Sequence, residues 1–177
     1  VENEDVRAVK GGTGYTKCGG NYAASIRAGE RAEENGYAQV LWLDGAEKKY
    51  VEEVGSMNMM FVIDGTVVTP MLDGSILRGI TRDSALQVLR KYGYKVEERH
   101  VPIAEVVEAY HAGKLDEAFG TGTAAVISPV GTITYGDLTM NINDGKMGKI
   151  TGWLYDRITG IQTERYPDEF GWVYRVK

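Results

Sequence analysis

The chain has 177 residues, of which 43% are apolar and 25% charged, and its net charge is −5, so it is long enough for one domain with a sizeable core. No basic stretch interrupts this balance and the longest apolar run is only 59–63, so we expect no nucleic-acid partner and no membrane. The single cysteine, Cys18, excludes an internal disulfide and a multi-cysteine metal site. No secretory leader is visible, and we expect a cytoplasmic protein.

Glycine is over-represented: there are 23 in the chain, or about 13%, against a typical ~7%. These glycines cluster within 11–20 and again at 120–122. Glycine serves where the backbone needs a positive φ or must approach a ligand closely, so both clusters are candidate binding loops. Because the chain starts at Val1 rather than at Met, we expect it to be a piece of a longer protein.

Periodicity and turn residues predict a mixed succession of strands and helices. In chain order these are a strand at 6–9, a glycine-rich loop at 11–20, a helix from an Asn21 N-cap to Asn35-Gly36, strands at 39–43 and 50–54, a hairpin of 59–63 and 66–69, a helix at 81–92, a strand at 95–101, a helix at 102–110, strands at 124–127 and 132–135, and a last helix carrying Met147, Ile150, Leu154, Ile158 and Ile161. Hairpins beside crossover helices indicate an α+β sheet or an irregular barrel rather than a purely parallel sheet.

Lys17 stands between the two halves of the first glycine cluster. The loop has neither the Walker A order nor the dinucleotide-binding order of glycines. A lysine in a tight, partly desolvated turn suits Schiff-base chemistry, because desolvation favours the neutral, nucleophilic amine. Taken alone, the segment is more often a flexible surface loop with a solvated lysine.

Glu52 and Glu53 end a predicted strand, and the two-residue period places them on opposite faces of the sheet. We expect one to face solvent and the other to face inward. A buried carboxylate needs a cation or a hydrogen-bond donor, and a protonated pyridine nitrogen would serve. The alternative is a solvated pair of glutamates at a strand end.

Two further segments combine glycine with threonine where a loop meets a helix or strand: 79–82 and 120–124. The first precedes a predicted helix, whose N-terminal amides and dipole attract anions. Hydroxyl groups and backbone amides together would form a cradle for a phosphate or carboxylate. An ordinary threonine N-cap and an ordinary turn are the alternatives. His100 and His111 fit no acid–nucleophile or metal pattern, and we predict no metal site.

Taken together, in this order and spacing, these segments resemble the large domain of branched-chain amino-acid aminotransferases, which are fold-type-IV pyridoxal-phosphate enzymes. The matching segments are Gly11-Gly12-Thr13-Gly14, Lys17-Cys18-Gly19-Gly20-Asn21-Tyr22, Glu53-Val54-Gly55-Ser56-Met57-Asn58, Leu77-Arg78-Gly79-Ile80-Thr81-Arg82, Phe119-Gly120-Thr121-Gly122-Thr123-Ala124-Ala125 and Leu154-Tyr155-Asp156-Arg157-Ile158-Thr159-Gly160-Ile161-Gln162. The resemblance covers essentially the whole chain, and several ordered motifs are far more specific than any one of them.

The resemblance implies an α+β fold, the irregular α/β pseudo-barrel of the fold-type-IV large domain. Residues 1–177 would form this cofactor-binding, C-terminal domain, and the small N-terminal domain of the family would be absent from the chain. The intact protein would bind pyridoxal 5′-phosphate, transfer the amino group of Leu, Ile or Val to 2-oxoglutarate, and form a homodimer. Its partners would be amino acids and 2-oxo acids, and the isolated chain would be poorly active.

The resemblance also implies a role for each matching residue. Lys17 would bind the cofactor as a Schiff base and then carry the proton between the substrate Cα and the cofactor. Tyr22 would hydrogen-bond the phenolic oxygen of the cofactor, and Glu53 would pair with its pyridine nitrogen. The residues that would hold the phosphate are Ile80 (through its backbone), Thr81 and Thr123. The residues that would lie near the substrate carboxylate or the phosphate are Ser56, Ala124 and Ala125.

Some related possibilities remain open at this point. A D-amino-acid aminotransferase and an aminodeoxychorismate lyase share the fold, and an inactive folded fragment with at most residual cofactor binding is a third alternative. The redox-active cysteine pair of some family members falls at Ala125 and Ser128 here, so we expect no thiol-based regulation of that kind.

Overall fold

The computed structural model describes residues 1–176 and shows a mixed α/β fold, as the sequence predicts. The strands are β1 (Leu41–Leu43), β2 (Val51–Val54), β3 (Met57–Ile63), β4 (Thr66–Pro70), β5 (Val96–Arg99), β6 (Leu115–Gly122), β7 (Val126–Pro129), β8 (Thr132–Tyr135) and β9 (Leu138–Asn141). The helices are α1 (Gly19–Ala23), α2 (Ile26–Glu34), α3 (Ile80–Lys91), α4 (Ile103–His111) and α5 (Lys149–Gln162), with a short 3₁₀ turn at Asn143–Gly145.

Strand β3 is the centre of a branched, largely antiparallel sheet. One of its edges pairs with β6 along almost its whole length, and the other pairs first with β2 and then with β4. Strand β1 extends the sheet beyond β2, and β7 extends it beyond β6. Strands β4 and β5 are parallel, and the crossover that parallel pairing requires contains α3. Strands β8 and β9 form a separate hairpin.

The core lies on both faces of β3, which explains why this strand is a continuous apolar run. Met59 and Phe61 pack into a cluster with α4 and the β8–β9 hairpin. Met60 and Val62 point the opposite way and pack against α3 and α5. Every one of these four side chains is at most 1% exposed. The strand that carries the middle of the sheet is therefore fixed from both sides.

A buried carboxylate holds the start of α5 against the sheet. Glu117 on β6 accepts hydrogen bonds from the backbone N–H of Ile150 (2.9 Å), from that of Thr151 (2.8 Å) and from the Thr151 hydroxyl (2.6 Å). The first turn of a helix has N–H groups without intrahelical partners, and here a side chain from another strand satisfies two of them. Glu117 is 8% exposed.

Several predicted elements are confirmed in type and position: the 59–63/66–69 hairpin, the helices at 81–92 and 102–110, and the last helix, although Met147 precedes it. The predicted strand at 6–9 is wrong, because this segment has no regular structure. The helix predicted from Asn21 is interrupted at Ala24 and Ser25 and gives α1 and α2 instead. Asn21 is not an N-cap, since the residue lies within α1 and its side chain donates hydrogen bonds to the preceding loop.

Strand β6, the longest strand of the sheet, is not among the predicted elements. Polar residues and glycines interrupt the apolar–polar alternation of this strand. Two of the polar residues make contacts outside the strand pattern: Glu117 binds the start of α5, and Thr121 lies beside the candidate site. The strand predicted at 124–127 is observed as β7, beginning at Val126. Because these residues serve tertiary contacts, β6 lacks the apolar–polar alternation from which a strand is predicted.

Among the described helices, none combines the length and the apolar composition needed to cross a bilayer.

Candidate active site

Three polar side chains form one row across the middle of the sheet. Glu53 on β2 lies opposite Asn58 on β3, and Asn58 lies opposite Thr121 on β6. Residues paired in this way project from the same face of an antiparallel sheet. All three are buried, and the Thr121 hydroxyl has no hydrogen-bond partner in the described structure. Such a row of buried polar groups needs a physical reason, since burial without partners costs free energy.

The segment that joins β4 to α3 crosses this row. The Asn58 amide donates a hydrogen bond to the Leu77 carbonyl oxygen at 2.7 Å, and the Leu77 N–H donates to Glu53 Oε1 at 3.3 Å. Gly79 follows with φ +68°, and a Cβ at this position would lie 2.0 Å from Asn58 Oδ1. Only glycine therefore fits where the chain turns from the row into α3.

Helix α3 begins directly after Gly79 with Ile80 and Thr81, two of the predicted phosphate-binding residues. No side chain caps the start of this helix among the described residues. Ile80 is 84% exposed and Thr81 is half-buried, so this helix start lies at the protein surface. Uncapped N–H groups and the helix dipole favour an anion at such a position.

The glycine-rich loop is folded back by two anchors. Asn21 accepts a hydrogen bond from the Thr13 hydroxyl at 2.8 Å and donates to the carbonyl oxygens of Thr13 and Thr16. Gly14 is buried, and a Cβ there would lie 2.0 Å from the Ser75 carbonyl oxygen. The loop is thereby fixed on both sides of Lys17, whose own side chain is exposed.

A cavity of about 580 Å³ lies between this loop, α2 and the end of β2. Four predicted site residues line it together: Lys17, Tyr22, Glu53 and Ser56. Ser56 lies in the turn from β2 to β3, and Tyr22 is 46% exposed. The lysine and the acid that the sequence analysis treated as separate segments therefore share one cavity.

Glu53 is a buried acidic residue in the wall of this cavity. It is 3% exposed, and its Oε2 lies 2.5 Å from Arg7 Nη2. Burial raises the pKa of Glu53 to about 7, while the positive charge of Arg7 and the hydrogen bond from the Leu77 N–H act in the opposite direction. A carboxyl group poised near neutrality beside an open cavity is typical of a functional site and would gain from a second cation.

The other predicted site residues lie outside the lining of this cavity. Thr123, Ala124 and Ala125 form the exposed turn between β6 and β7, which the Gly122–Val126 pair closes. This turn begins two residues after Thr121, at the end of the polar row. The roles assigned to all the predicted site residues, inside and outside this cavity, stay predictions.

The expectation that Glu52 or Glu53 faces solvent is wrong, because both are buried. Glu52 lines a second cavity, of about 290 Å³, together with Asp44 and Asp73. Its Oε1 accepts a hydrogen bond from the Ser75 hydroxyl, and burial raises its pKa. The loop after β4 covers the strand and removes the solvent that a free strand end would have met.

Three residues of the site were not predicted: Arg7, Leu77 and the side chain of Asn58. Asn58 and Leu77 lie within segments that carry the resemblance, but no motif predicted a role for either residue. Arg7 lies in the irregular segment before the glycine-rich loop, where no sequence signal marked it. Within residues 1–176, no group of three or more His, Cys, Asp or Glu side chains could hold a metal ion.

Comparison with known families places this geometry in context. The family model described as amino-transferase class IV matches residues 5–133, a range that includes every predicted site residue. The chain belongs to the class IV aminotransferases.

Curated class IV relatives are similar along almost the whole chain. Branched-chain-amino-acid aminotransferase 2 of Bacillus subtilis (strain 168) is 60% identical over 176 residues, which are 99% of this chain and 48% of that protein. The branched-chain-amino-acid aminotransferase of Mycobacterium tuberculosis (strain CDC 1551 / Oshkosh) is 48% identical over 180 residues, with 99% and 49% covered. The chain thus spans about half the length of the curated relatives it matches.

Solved structures of class IV aminotransferases share the fold. The Escherichia coli branched-chain amino acid aminotransferase superimposes with a TM-score of 0.83 at 30% identity, covering 99% of this chain and 54% of that one. The T.th. branched-chain amino acid aminotransferase, complexed with N-(5′-phosphopyridoxyl)-L-glutamate, gives a TM-score of 0.83 at 31% identity, covering 99% and 55%. Pyridoxal phosphate is the cofactor of class IV aminotransferases, consistent with the phosphopyridoxyl group in that complex.

Proposed function

We propose that this chain is the cofactor-binding half of a branched-chain L-amino-acid transaminase that uses pyridoxal 5′-phosphate. The full-length protein would transfer the amino group of Leu, Ile or Val to 2-oxoglutarate. The observation that carries the proposal is that Lys17 and the buried carboxyl group of Glu53 line one cavity. The names of relatives at 48–60% identity support the substrate class.

The residues of this chain suit the proposed cofactor. Glu53 is buried, and its ion-pair partner is Arg7. A buried carboxyl group of this kind can also accept a cationic ring nitrogen. Gly79 leads directly into an uncapped helix start, which suits a phosphate. Lys17, on a loop fixed by Asn21, provides the primary amine. A nucleophile, a counter-charge and an anion cradle are therefore available on three separate segments.

Pyridoxal phosphate, when bound, supplies a conjugated ring that stabilises the charge left when the substrate Cα loses its proton. Lys17 would anchor the cofactor through Nζ, and its amine would take up the Cα proton and return it. Glu53 would provide a negative charge for the ring nitrogen, and the Tyr22 hydroxyl would serve the phenolic oxygen. The backbone N–H of Ile80, with Thr81 and Thr123, would hold the phosphate. Ser56 and the 123–125 turn would lie near the substrate carboxylate or the phosphate.

We also propose that residues 1–177 form the large domain of a longer, homodimeric, cytoplasmic protein. The near-complete match to this chain beside a half-length match to its relatives supports the domain assignment. Light scattering of the full-length gene product tests the dimer, and a mass of one chain would contradict it. Cell fractionation with an antibody tests the compartment.

Covalent trapping tests the proposed cofactor site. The purified chain is incubated with pyridoxal phosphate and reduced with borohydride, and the pyridoxyl label is located by peptide mass spectrometry. We expect the label on Lys17 and its loss in Lys17→Ala. Lys10→Ala, which removes an exposed lysine near the same loop, is the matched control and should keep the label. Labels scattered over surface lysines would contradict the proposal.

Substrate assays on the full-length protein test the activity. We expect 2-oxo acid formation from L-Leu, L-Ile and L-Val in the presence of 2-oxoglutarate. Activity confined to D-amino acids, or conversion of aminodeoxychorismate, would replace the proposed substrate class with another of the same fold. Trapping on Lys17 without any turnover would leave a cofactor-binding protein that is not an enzyme.

A further inference from the structure

Arg7 forms the closest charged contact of the candidate site, although it lies outside the segments that carry the resemblance. Its Nη2 lies 2.5 Å from Glu53 Oε2, with side chains 9% and 4% exposed. The same nitrogen donates a hydrogen bond to the Ser75 carbonyl oxygen at 2.8 Å. Arg7 is thereby tied both to the acid and to the loop that covers it.

This buried cluster contains more carboxyl groups than guanidinium groups. Two carboxyl groups, those of Glu52 and Glu53, lie on opposite faces of β2 within the influence of one arginine. Ser75 joins the two halves, because its hydroxyl donates to Glu52 while its carbonyl oxygen accepts from Arg7. Glu52 Oε2 and Arg7 Nε have no hydrogen-bond partner in the described structure. A buried acid without a full complement of cations binds a proton or a further cation.

We infer that Arg7 is a positioning residue for the cofactor: it orients Glu53 and favours its ionised form, so that the carboxyl group can accept the cationic ring nitrogen. The inference rests on the proposed function, since it presumes that Glu53 meets that nitrogen. It goes further by assigning a task to a residue of the irregular segment 1–10. Arginine suits the task because its guanidinium stays charged at every accessible pH, so one group keeps the ion pair with Glu53 while it donates to the Ser75 carbonyl oxygen.

The charges that face Glu53 support this assignment. Burial raises the pKa of Glu53 to about 7; Arg7 and, more weakly, Lys17 act to lower it, and Glu52 acts to raise it. Without Arg7, only the hydrogen bond from the Leu77 N–H and the charge of the exposed Lys17 would oppose the effect of burial. The pKa of Glu53 would then rise further, and its carboxyl group would carry less negative charge at neutral pH.

The first arm of the test measures the titration of Glu53 in the cofactor-free chain. Glutamate is labelled with ¹³C at the carboxyl carbon, and the Glu53 resonance is assigned with Glu53→Gln. We expect Arg7→Met to raise the midpoint by about one unit or more, and Arg7→Lys to give an intermediate shift. The control is Arg175→Met, which breaks an exposed arginine–glutamate pair with Glu164 and should leave the midpoint unchanged. An unchanged midpoint in Arg7→Met would overturn the inference.

The second arm measures pyridoxal-phosphate affinity against pH. We expect Arg7→Met to weaken binding about tenfold near pH 7, and the loss to shrink above the raised midpoint, where Glu53 ionises again. A role in folding alone would weaken binding equally at every pH, and that result would also overturn the inference.

The two arms separate this inference from the proposed function. If the unmodified chain binds no cofactor, the proposed function fails, and Arg7 cannot have the proposed role in cofactor binding. The first arm would still decide whether Arg7 controls the titration of Glu53. If circular dichroism shows that Arg7→Met does not fold, Arg7→Lys decides: an upward shift of the Glu53 midpoint supports the inference, and no shift overturns it.

Discussion

Asn58 holds Gly79 in place: its amide bonds the neighbouring Leu77 carbonyl at 2.7 Å, and its Oδ1 occupies the space where a Cβ of residue 79 would lie. Because Asn58 also sits opposite Glu53 and Thr121 in the sheet, this contact fixes the start of α3 relative to the polar row. The counter-charge for the ring and the proposed phosphate cradle are thus linked by one side chain.

Replacing Gly79 with alanine is therefore expected to disturb both stability and cofactor binding. The new Cβ would meet Asn58 Oδ1 at 2.0 Å, and the backbone would keep an unfavourable φ of +68°. Gly93→Ala is the matched control, since φ there is +82° but nothing lies within 4 Å. We expect Gly93→Ala to cost about 1 kcal/mol and Gly79→Ala roughly 2 kcal/mol more, measured by urea unfolding. Equal costs would contradict the tight contact.

The buried acid predicts a specific pH dependence of stability. Because the pKa of Glu53 is raised from 4.5 to about 7 by folding, its contribution is fully present below pH 4.5 and is lost as the pH rises through 7. Glu53→Gln lacks this titration. The free energy of unfolding of the unmodified chain should fall by about 3 kcal/mol relative to Glu53→Gln between these pH values. Parallel curves for the two proteins would show that Glu53 titrates normally.

Thr81 provides a test of the phosphate cradle. If its hydroxyl binds the phosphate, Thr81→Val should weaken pyridoxal-phosphate binding about tenfold, the worth of one hydrogen bond to a charged group. Binding of pyridoxal, which has no phosphate, should stay the same. Thr163→Val, at the exposed end of α5, is the control substitution. Fluorescence titration measures all three proteins, and an equal loss for both ligands would place the phosphate elsewhere.

Glu117 is expected to be essential for stability, independently of the cofactor. Glu117→Gln replaces one accepting oxygen with a donor that faces the N–H groups of Ile150 and Thr151. We expect a loss of about 2 kcal/mol in urea unfolding, since a buried donor is left unsatisfied. Glu108→Gln, exposed on α4, should stay within about 0.5 kcal/mol of the unmodified chain. A similar result for both variants would contradict this role.

Local patterns predicted the parts of the fold that local forces determine. The 59–63/66–69 hairpin follows from two apolar runs and an Asp64-Gly65 turn, and α3 follows from its periodicity and the terminal Gly93. Strand β6 escaped because Glu117 and Thr121 serve contacts with distant segments. Asn21 is not the predicted helix cap, because its side chain bonds Thr13 and Thr16 in the preceding glycine-rich loop, and the irregular backbone of that loop is not evident from its sequence.

The residues of the candidate site also differ in whether local sequence motifs predict them. Lys17, Tyr22, Glu53 and Ser56 could be named from motifs, and the structure brings them to one cavity. Arg7 could not be named, because a single arginine in an irregular segment carries no periodicity and its partner stands 46 positions later. The burial of Glu52 likewise depends on the loop that carries Ser75, which no strand pattern reveals.

The pairing of β3 with β6 also has a consequence for biosynthesis. The Asn58–Thr121 pair joins positions about 60 residues apart, with α3, β5 and α4 between them. The hairpins on the other edge of β3 can form as soon as their own residues leave the ribosome, but the pairing of Asn58 with Thr121 cannot. A nascent chain halted before residue 121 would therefore display an unpaired edge of β3, and translation of β6 is the step that covers this edge and completes the polar row.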